Sequence, residues 1–442
     1  MRTSLIERVL APIADVRREE AASALLMTLL IFLLLAAYYL MKTGREILIL
    51  TEGGAAVKSY SSAGQAILLL FVVPAYGAFA SRVTPVRLVT FVTLFFTLHQ
   101  ALFAGAVAAG FKVGILYFLW LGIFNLMVVA QFWAYASDVY TEEQGKRLFP
   151  LIGVGGSLGA WIGSLRAGAI VGDAGPVKLF VDACVLLLIC AALVPIIQRM
   201  TPRTAASGHA ASDEPIGKGG GFTMLRADRY LMLIALFTLL LNVVNTTGEY
   251  LFGRYIVEQS QFLHAGAGPE AVAARERFVG ETYSQFYSVV NLAGFLLQMF
   301  VVSRLFKWLG IGRSLLVHPL VAMAGYLLMI RAPSLQMISV VKVADNSINY
   351  SLSNTTRQAL WLPTSREAKY KAKQAVDSFV VRAGDVASAG LVFAGERLAF
   401  TVSAFAGLQV GLVAAWLAVV GLLTVAQARR AAPAEPRTES AL

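Results

Sequence analysis

The chain has 442 residues and a formal net charge of +11, and 57% of its residues are hydrophobic while 14% are charged. A soluble globular domain carries roughly a quarter of charged residues, so this composition excludes that class and indicates a polytopic membrane protein. The basic residues lie beside the apolar runs, where anionic lipid and membrane insertion account for them. We therefore expect membrane lipid, and no nucleic acid, as a partner.

Twelve apolar runs are each long enough to cross about 30 Å of hydrocarbon as a helix. The eleventh run fits a span least well because it contains Arg382 and Asp385. The pattern predicts an all-α polytopic membrane protein with twelve transmembrane helices. In chain order the runs are 22–41, 63–80, 86–108, 112–134, 150–172, 177–198, 228–248, 283–304, 309–330, 334–355, 376–396 and 403–426.

The basic residues favour one orientation of these runs. Lys and Arg accumulate in the cytoplasmic loops of membrane proteins, and most of the 37 basic residues fall on cytoplasmic segments if the N-terminus is inside. The first residues are polar, and no short apolar core with a small-residue cleavage site precedes the first run, so we expect no signal peptide. The sequence predicts a protein of the bacterial inner membrane with both termini in the cytoplasm.

Residues 199–227 are rich in Ser, Gly, Ala and Pro, lack hydrophobic periodicity and separate the runs into two sets of six. This predicts an N-terminal half at 1–198, a flexible cytoplasmic linker, a C-terminal half at 228–426 and a disordered tail at 427–442. Six plus six helices are the layout of major facilitator transporters, in which two halves rock around a site at mid-membrane.

A short internal repeat supports a duplication. The stretch "YTEEQGKR" follows the fourth run and "PTSREAKY" follows the tenth. Aligning them places Thr141 opposite Thr364 and Lys146 opposite Lys369 at one constant offset. The matching positions indicate that the two halves share an origin.

Three charges follow the first run in "YYLMKTGREILIL". Lys42, Arg45 and Glu46 lie three and four residues apart, on one face of a helix, and four apolar residues come after them. A straight helix from Ala22 has covered about 30 Å by Met41, so the charges lie near the outer boundary. Snorkelling to the headgroups is one interpretation. The other is a water-filled cavity lined by this face, which also explains the apolar residues that follow.

Polar residues also occur inside the later runs. In the tenth run, Lys342, Asp345, Asn346 and Asn349 fall at i, i+3, i+4 and i+7, which is one stripe of a helix. A charge that faces lipid costs at least a few kcal/mol, so such residues face the bundle interior. They either bind substrate or form ion pairs that lock helices together. The comparable residues elsewhere are Arg382 and Asp385 in the eleventh run, and Asn242, Asn245 and Glu249 in the seventh.

Other motifs give little support for catalysis or metal binding. The glycine-rich stretch "GVGGSLGAWIGSLRAGAIVG" lacks the Gly-Lys-Ser/Thr of a phosphate loop, and its glycines four apart are typical of close helix packing in membranes. Cys184 and Cys190 lie on different helix faces, and the four histidines have no partner at ligand spacing. We expect neither an enzyme nor a bound metal or cofactor.

Four stretches spread over both halves carry a family resemblance. They are "YYLMKTGREILIL", "QFWAYASDVYTEEQGKRLFPLIGVGGSLGA", "LLLNVVNTTGEYLF" and "NYSLSNTTRQALWLPTSREAKYKAKQAVD". Together they resemble the ATP/ADP translocases, the nucleotide transporters of plastids and intracellular bacteria, which are distinct from the mitochondrial carriers. The resemblance implies twelve helices, a facilitator-like fold and nucleotide exchange without ATP hydrolysis.

The chain departs from this family at the positions where the resemblance implies function. The family's exchangers depend on two lysines and two glutamates, which fall here at Gly64, Leu121, Asn245 and Asp385, so none keeps its expected charge. The charged residues that do match are Arg45 and Glu46 in the first run, Lys146 after the fourth, and Lys369, Lys371 and Lys373 after the tenth.

We therefore expect a monomeric secondary transporter that moves ATP- or ADP-like nucleotides, or a related anionic metabolite, by alternating access and exchange. If acidic residues neutralise the cations, a proton-coupled carrier of a weakly charged solute is the alternative. A non-transporting membrane sensor or scaffold is a third. The predicted substrate-binding residues are Lys42, Arg45, Asn242, Asn245, Lys342, Asn346, Asn349 and Arg382, with Glu46, Asp345 and Asp385 as their charge partners.

Overall fold

The structure, a computed structural model, describes residues 16–17, 19–80, 83, 85–200, 221–331, 334–365 and 367–431. Within these ranges the secondary structure is helical, and no strand occurs. The first six helices are α1 (Ala21–Glu52), α2 (Gly54–Ala80), α3 (Pro85–Ala108), α4 (Gly114–Val139), α5 (Glu142–Ala174) and α6 (Pro176–Met200).

The later helices are more broken than the first six. Two π-helical segments, Asn349–Ser353 and Val376–Val380, interrupt the tenth and eleventh predicted runs, and a third, Ala368–Ala372, lies between those runs. The α-helices are α7 (Gly221–Ala227), α8 (Arg229–Leu263), α9 (Pro269–Phe300), α10 (Val302–Ser314), α11 (Val317–Arg331), α12 (Leu335–Ile348), α13 (Asn354–Ala359), α14 (Lys373–Ala375), α15 (Val381–Arg397) and α16 (Val402–Ala431).

Each predicted run overlaps at least one helix, the eighth to eleventh runs each extend over more than one, and several helices are longer than predicted. Among the described residues, nine helices are long and apolar enough to cross a membrane, or ten if α9 and α10, which meet at 72°, form one bent span. Gly310, at a φ of 71°, interrupts helical geometry inside α10. The structure therefore confirms an all-α polytopic membrane protein, and the count of twelve stays a prediction.

Two predicted flexible segments are partly helical. Residues 201–220 of the predicted linker lie outside the described residues, but its last seven residues form α7. The predicted tail begins inside α16, which continues to Ala431. The remaining residues of the tail lie outside the described part of the chain.

The described contacts divide the chain into two compact units. Unit 1 comprises Met1–Asp213 and Phe252–Ala293, and unit 2 comprises Glu214–Leu251 and Gly294–Leu442. The end of α8 and most of α9 therefore pack with the first six helices, whereas the sequence assigned residues 228–426 to the C-terminal half. The predicted domain boundaries stay a prediction, and they differ from these units over residues 252–293.

The glycine stripe of α5 explains its close packing against α1. A Cβ on Gly159 would lie 2.2 Å from the Phe32 carbonyl oxygen, and one on Gly163 would lie 2.6 Å from Ala36 Cα. Only glycine allows this approach, so the prediction of helix packing is confirmed. The segment Gly155–Gly159 also matches Gly-x-Ser-x-Gly, but it is continuous helix and lacks the strand-to-helix turn of a nucleophile elbow.

A polar network at the start of α5 fixes this helix to the segment before α1. Thr141 and Gln144 form a capping box, each side chain accepting a hydrogen bond from the other's backbone N–H. The Arg147 guanidinium forms an ion pair with Glu20 at 2.9 Å. Burial acts to raise the pKa of Glu20, but the hydrogen bonds from Arg147 and Gln144 outweigh it and hold the pKa below its ordinary value.

Candidate functional site

A buried carboxylate organises the charged face of α1. Glu46 has no exposed surface, and its Oε2 lies 2.7 Å from Lys58 Nζ on α2. The guanidinium of Arg45 donates to Oε1 of the same carboxylate, and the Tyr287 hydroxyl of α9 donates to Oε1 at 3.0 Å. We call Lys42, Arg45, Glu46, Lys58 and Tyr287 the α1 cluster, and all five belong to unit 1.

Aromatic rings surround the cations of this cluster. Lys42 Nζ lies 4.0 Å from the ring centroid of Tyr287 and 5.1 Å from that of Tyr39, and the Arg45 guanidinium lies 4.6 Å from the Phe118 ring. Such cation–π contacts stabilise a charge that has lost its hydration. Tyr39 is held in turn, because its hydroxyl donates to Asn291 Oδ1 at 2.8 Å.

The cluster excludes the snorkelling interpretation of the α1 charges. Lys42 is only 8% exposed and is packed among tyrosine rings, whereas a snorkelling lysine extends its ammonium into the headgroup layer. The Arg45 side chain, 14% exposed, is more accessible than the Lys58 side chain at 10%. The named side chains carry three positive charges and one negative charge.

A second group of ionised residues surrounds α12. Lys342 Nζ lies 2.7 Å from Asp345 Oδ2 and 3.5 Å from Glu249 Oε1, and Asn346 Nδ2 donates to the same Glu249 oxygen at 2.7 Å. The other oxygen of Asp345 lies 2.9 Å from His318 Nε2. We call Lys342, Asp345, Asn346, Glu249 and His318 the α12 cluster, and all belong to unit 2.

Close packing leaves Lys342 no contact with solvent. Its side chain is 0% exposed, and a Cβ on Gly248 would lie 3.1 Å from its Nζ and 2.4 Å from the Tyr326 hydroxyl. Lys342 is therefore sealed from solvent in this structure, and its assignment as a substrate ligand stays a prediction. Its charge is satisfied by carboxylates, which is the helix-locking role that the sequence left open.

His318 connects the α12 cluster to the irregular part of the tenth run. Its Nδ1 lies 2.6 Å from Ser353 Oγ, at the end of the π-helical segment Asn349–Ser353, and its ring packs edge-on against Trp416. Because the α-helix ends at Ile348, Asn349 does not continue the regular α-helical stripe of Lys342 and Asp345. π-Helical turns of this kind occur frequently at functional sites.

Asp385 is the centre of a third polar group, also in unit 2. Asn242 Nδ2 donates to Asp385 Oδ1 at 2.8 Å, Thr246 donates to the same oxygen at 3.3 Å, and Arg382 donates to Oδ2 at 3.1 Å. The Arg382 side chain is 28% exposed. Unlike Lys342, this cation stays partly exposed while it is paired.

The structure thus groups most of the predicted site residues but adds three that the sequence missed. The sequence does not indicate Lys58, because the second predicted run begins at residue 63 whereas α2 begins at Gly54. Tyr287 carries no charge that would indicate a site, and His318 has no other metal ligand at a suitable spacing in the sequence. The rule that flagged Lys342, a polar group at depth in a span, applies equally to His318. Among the described residues no group of His, Cys, Asp and Glu could hold a metal ion.

Comparison with known proteins places the chain near transporters of nucleotides. ADP,ATP carrier protein 1 of Chlamydia muridarum (strain MoPn / Nigg) is 24% identical over 298 residues, which cover 59% of this chain and 54% of that relative. ADP,ATP carrier protein 1 of Chlamydia trachomatis serovar D has the same identity and coverage. The match spans about half the length of these relatives, and no family model matches the chain.

Solved structures with the same fold are membrane transporters of several kinds. The nucleoside transporter NupG has a TM-score of 0.62 and 13% identity, covering 90% of this chain and 98% of its own. A bacterial homologue of the iron transporter ferroportin has a TM-score of 0.61 and 13% identity, covering 93% and 99%. An auto-inhibited peptide transporter of the POT family has a TM-score of 0.60 and 12% identity, covering 93% and 98%.

Proposed function

We propose that the protein exchanges nucleotides, or a related anionic metabolite, across a bacterial inner membrane. The chain is a multi-pass membrane protein with the fold of major facilitator transporters and weak homology to chlamydial ADP,ATP carriers. Transport proceeds by alternating access. The observation that carries the proposal is the α1 cluster, in which three cations are gathered around Glu46 and tyrosine rings inside a membrane protein.

The charge of the cargo explains why such a cluster is required. A nucleoside di- or triphosphate brings three to four negative charges, and removing them from water is costly unless fixed cations replace the hydration. Guanidinium and ammonium groups both bind phosphate oxygens, and guanidinium can do so with two parallel hydrogen bonds. A cluster with more cations than carboxylates meets this requirement better than one in which acids predominate.

Within the cluster we assign phosphate binding to Arg45 and Lys42. In this structure Arg45 is paired with Glu46. When phosphate binds, it takes the guanidinium from Glu46, whose carboxylate keeps Lys58 and the Tyr287 hydroxyl. Pairing with Glu46 also lowers the cost of burying Arg45 between cargoes.

In unit 2 the predicted ligands divide by accessibility. Arg382 keeps partial exposure and remains a candidate for phosphate, ahead of the sealed Lys342. The amides that would offer neutral hydrogen bonds to base, ribose or phosphate are Asn242, Asn245, Asn346 and Asn349.

The test is uptake of labelled ATP and ADP into proteoliposomes that contain the purified full chain, with and without unlabelled nucleotide inside. Arg45→Gln is expected to lower kcat/KM by about tenfold or more, as for the loss of a charge-assisted hydrogen bond. Arg199→Gln is the matched control, because Arg199 is an exposed arginine in the last turn of α6. Uptake that is equal in the two variants, or that ignores internal nucleotide, contradicts the proposal.

A second candidate, a proton-coupled carrier of a weakly charged solute, is favoured by one observation. Asp345 lies between Lys342 and His318, in reach of two groups that exchange protons, while Glu249 shares the same lysine. A proton that neutralised Asp345 would release Lys342 to Glu249. Uptake driven by a pH gradient in wild type, lost in Asp345→Asn and indifferent to nucleotides, is the result that this candidate requires.

A further inference from the structure

A groove between α1, α5 and α6 is separate from the clusters described above. It encloses about 310 Å³, within the size range of small-ligand pockets. Its apolar lining includes Leu33 and Ala36 of α1, Ile162 and Ile170 of α5, and Val185 and Leu186 of α6. Two ionised residues, Arg166 of α5 and Asp182 of α6, complete it.

The charges are confined to one end of the groove. Arg166 lies eight residues before the end of α5 and Asp182 six residues after the start of α6, which is about 12 Å and about 9 Å along the helices. α5 has 33 residues and is longer than the hydrocarbon core, so both charges lie near one boundary between hydrocarbon and headgroups. Leu33 and Ala36, at the middle of α1, line the deeper part.

The lining of the groove changes from charged to apolar along its length, as a phospholipid leaflet changes from headgroups to acyl chains. We propose that the groove binds a phospholipid whose headgroup carries a phosphate and a primary ammonium, as phosphatidylethanolamine does. The phosphate binds Arg166, which is exposed; the ammonium donates to Asp182; and an acyl chain lies on Leu33, Ala36 and Val185. Arginine favours phosphate because its fork of donors matches the phosphate oxygens.

Asp182 already accepts a group of the same chemistry. Lys178 Nζ lies 2.5 Å from Asp182 Oδ1, one helical turn away, and the lysine side chain is 52% exposed. Exposed pairs at i and i+4 contribute little to stability, so a headgroup ammonium can take the place of Lys178. A quaternary choline has no N–H to donate, and a glycerol headgroup brings no positive charge, so the two alternative phospholipids satisfy Asp182 less well.

The experiment is native mass spectrometry of the full chain in detergent with equal amounts of phosphatidylethanolamine, phosphatidylcholine and phosphatidylglycerol. Wild type is expected to retain phosphatidylethanolamine about tenfold better than the others, as one charge-assisted hydrogen bond predicts. Asp182→Asn should remove that preference. Arg166→Leu should lower the retention of all three lipids about tenfold, because all carry the phosphate.

Two tryptophan variants on one helix separate the groove from general lipid contact. Val185 and Leu188 of α6 are 50% and 51% exposed, but only Val185 lines the groove. Val185→Trp should fill the groove and abolish the preference, whereas Leu188→Trp should keep it, with equal melting temperatures as the check on folding. Equal retention of the three lipids by wild type, preference for phosphatidylglycerol, or identical behaviour of the two tryptophan variants overturns the proposal.

Discussion

The α1 cluster and the α12 cluster bury similar residues but balance their charge differently. Around Glu46 the named cations outnumber the carboxylate, and all three of them rest against aromatic rings. Around Lys342 two carboxylates face one lysine, and a histidine closes the network. Since an anionic cargo is held by an excess of positive charge, the first arrangement suits binding, and the second suits helix locking or proton transfer.

Exposure divides the clusters in the same way. Arg45 retains a partly accessible guanidinium, while Lys342 is sealed. A buried ion pair that is completely satisfied resists disruption, because removing one partner leaves an uncompensated charge in a region of low dielectric constant. The comparison therefore predicts that variants of the α12 cluster affect stability first, and that charge-neutralising variants at Arg45 affect transport first.

The largest expected effect is that of Lys342→Ala. Removing the lysine leaves the carboxylates of Asp345 and Glu249 without the ammonium that both of them pair with. We expect the free energy of unfolding to fall by about 3–5 kcal/mol. Chemical unfolding in detergent micelles measures this. The double variant Lys342→Met/Asp345→Asn should recover part of the loss, and a single variant as stable as the double one would refute the locking role.

Replacement of Tyr287 should distinguish its two contributions to the α1 cluster. Tyr287→Phe removes a hydrogen bond to a carboxylate and should cost about 1.5–3 kcal/mol. Tyr287→Leu also removes the ring beneath Lys42 and should cost about 0.5–2 kcal/mol more. Tyr326→Phe in unit 2 is the matched control, because its hydroxyl donates to the uncharged Val244 carbonyl at 3.4 Å; a loss there as large as at Tyr287 would argue against a charged acceptor.

A pair of glycine variants tests how tightly the α12 cluster is packed. Gly248→Ala would bring a Cβ to 2.4 Å from the Tyr326 hydroxyl and should destabilise by about 1–3 kcal/mol. Gly407 lies in α16, and a Cβ added there would meet no atom of another residue within 4 Å outside its own stretch of helix backbone. Gly407→Ala should therefore stabilise the protein by up to about 1 kcal/mol through helix propensity. Thermal unfolding of both variants gives the comparison, and equal shifts would mean that Lys342 has room to move.

The smallest expected effect concerns the ends of helices in the two units. The pKa values of Glu20 and Asp228 are lowered because hydrogen bonds from Arg147 and Arg430 outweigh the effect of burial. A carboxyl group whose pKa is lowered by folding stabilises the folded protein at pH values above its pKa in the unfolded chain, which is about 4. That contribution is lost as the pH falls through the pKa of the folded state.

Unfolding between pH 7 and pH 3 measures this contribution. Glu20→Gln should be less stable than wild type by no more than about 1 kcal/mol at neutral pH, and the gap should close below pH 4. A gap that widens on acidification would reverse the sign of the assignment.

Several features of this protein follow from the sequence by itself. Local composition and periodicity are enough to predict the membrane class, the approximate helix positions, the packing role of the α5 glycines, and the polar faces of α1 and α12. A helix repeats every 3.6 residues, so spacing alone fixes which residues share a face. The spacing therefore predicts that Lys342, Asp345 and Asn346 share a face, and in the structure Lys342 contacts both of the others.

Only the tertiary structure decided what each polar face meets. Lys58 reaches Glu46 from the next helix, α2, and Tyr287 reaches it from α9, far along the chain. His318 reaches Asp345 from α11. Whether Lys342 is exposed to solvent depends on how closely Gly248 and Tyr326, which belong to other helices, pack around it. Periodicity carries no information about which helices become neighbours, because that choice is made by packing over the whole chain, and burial and pairing follow from it.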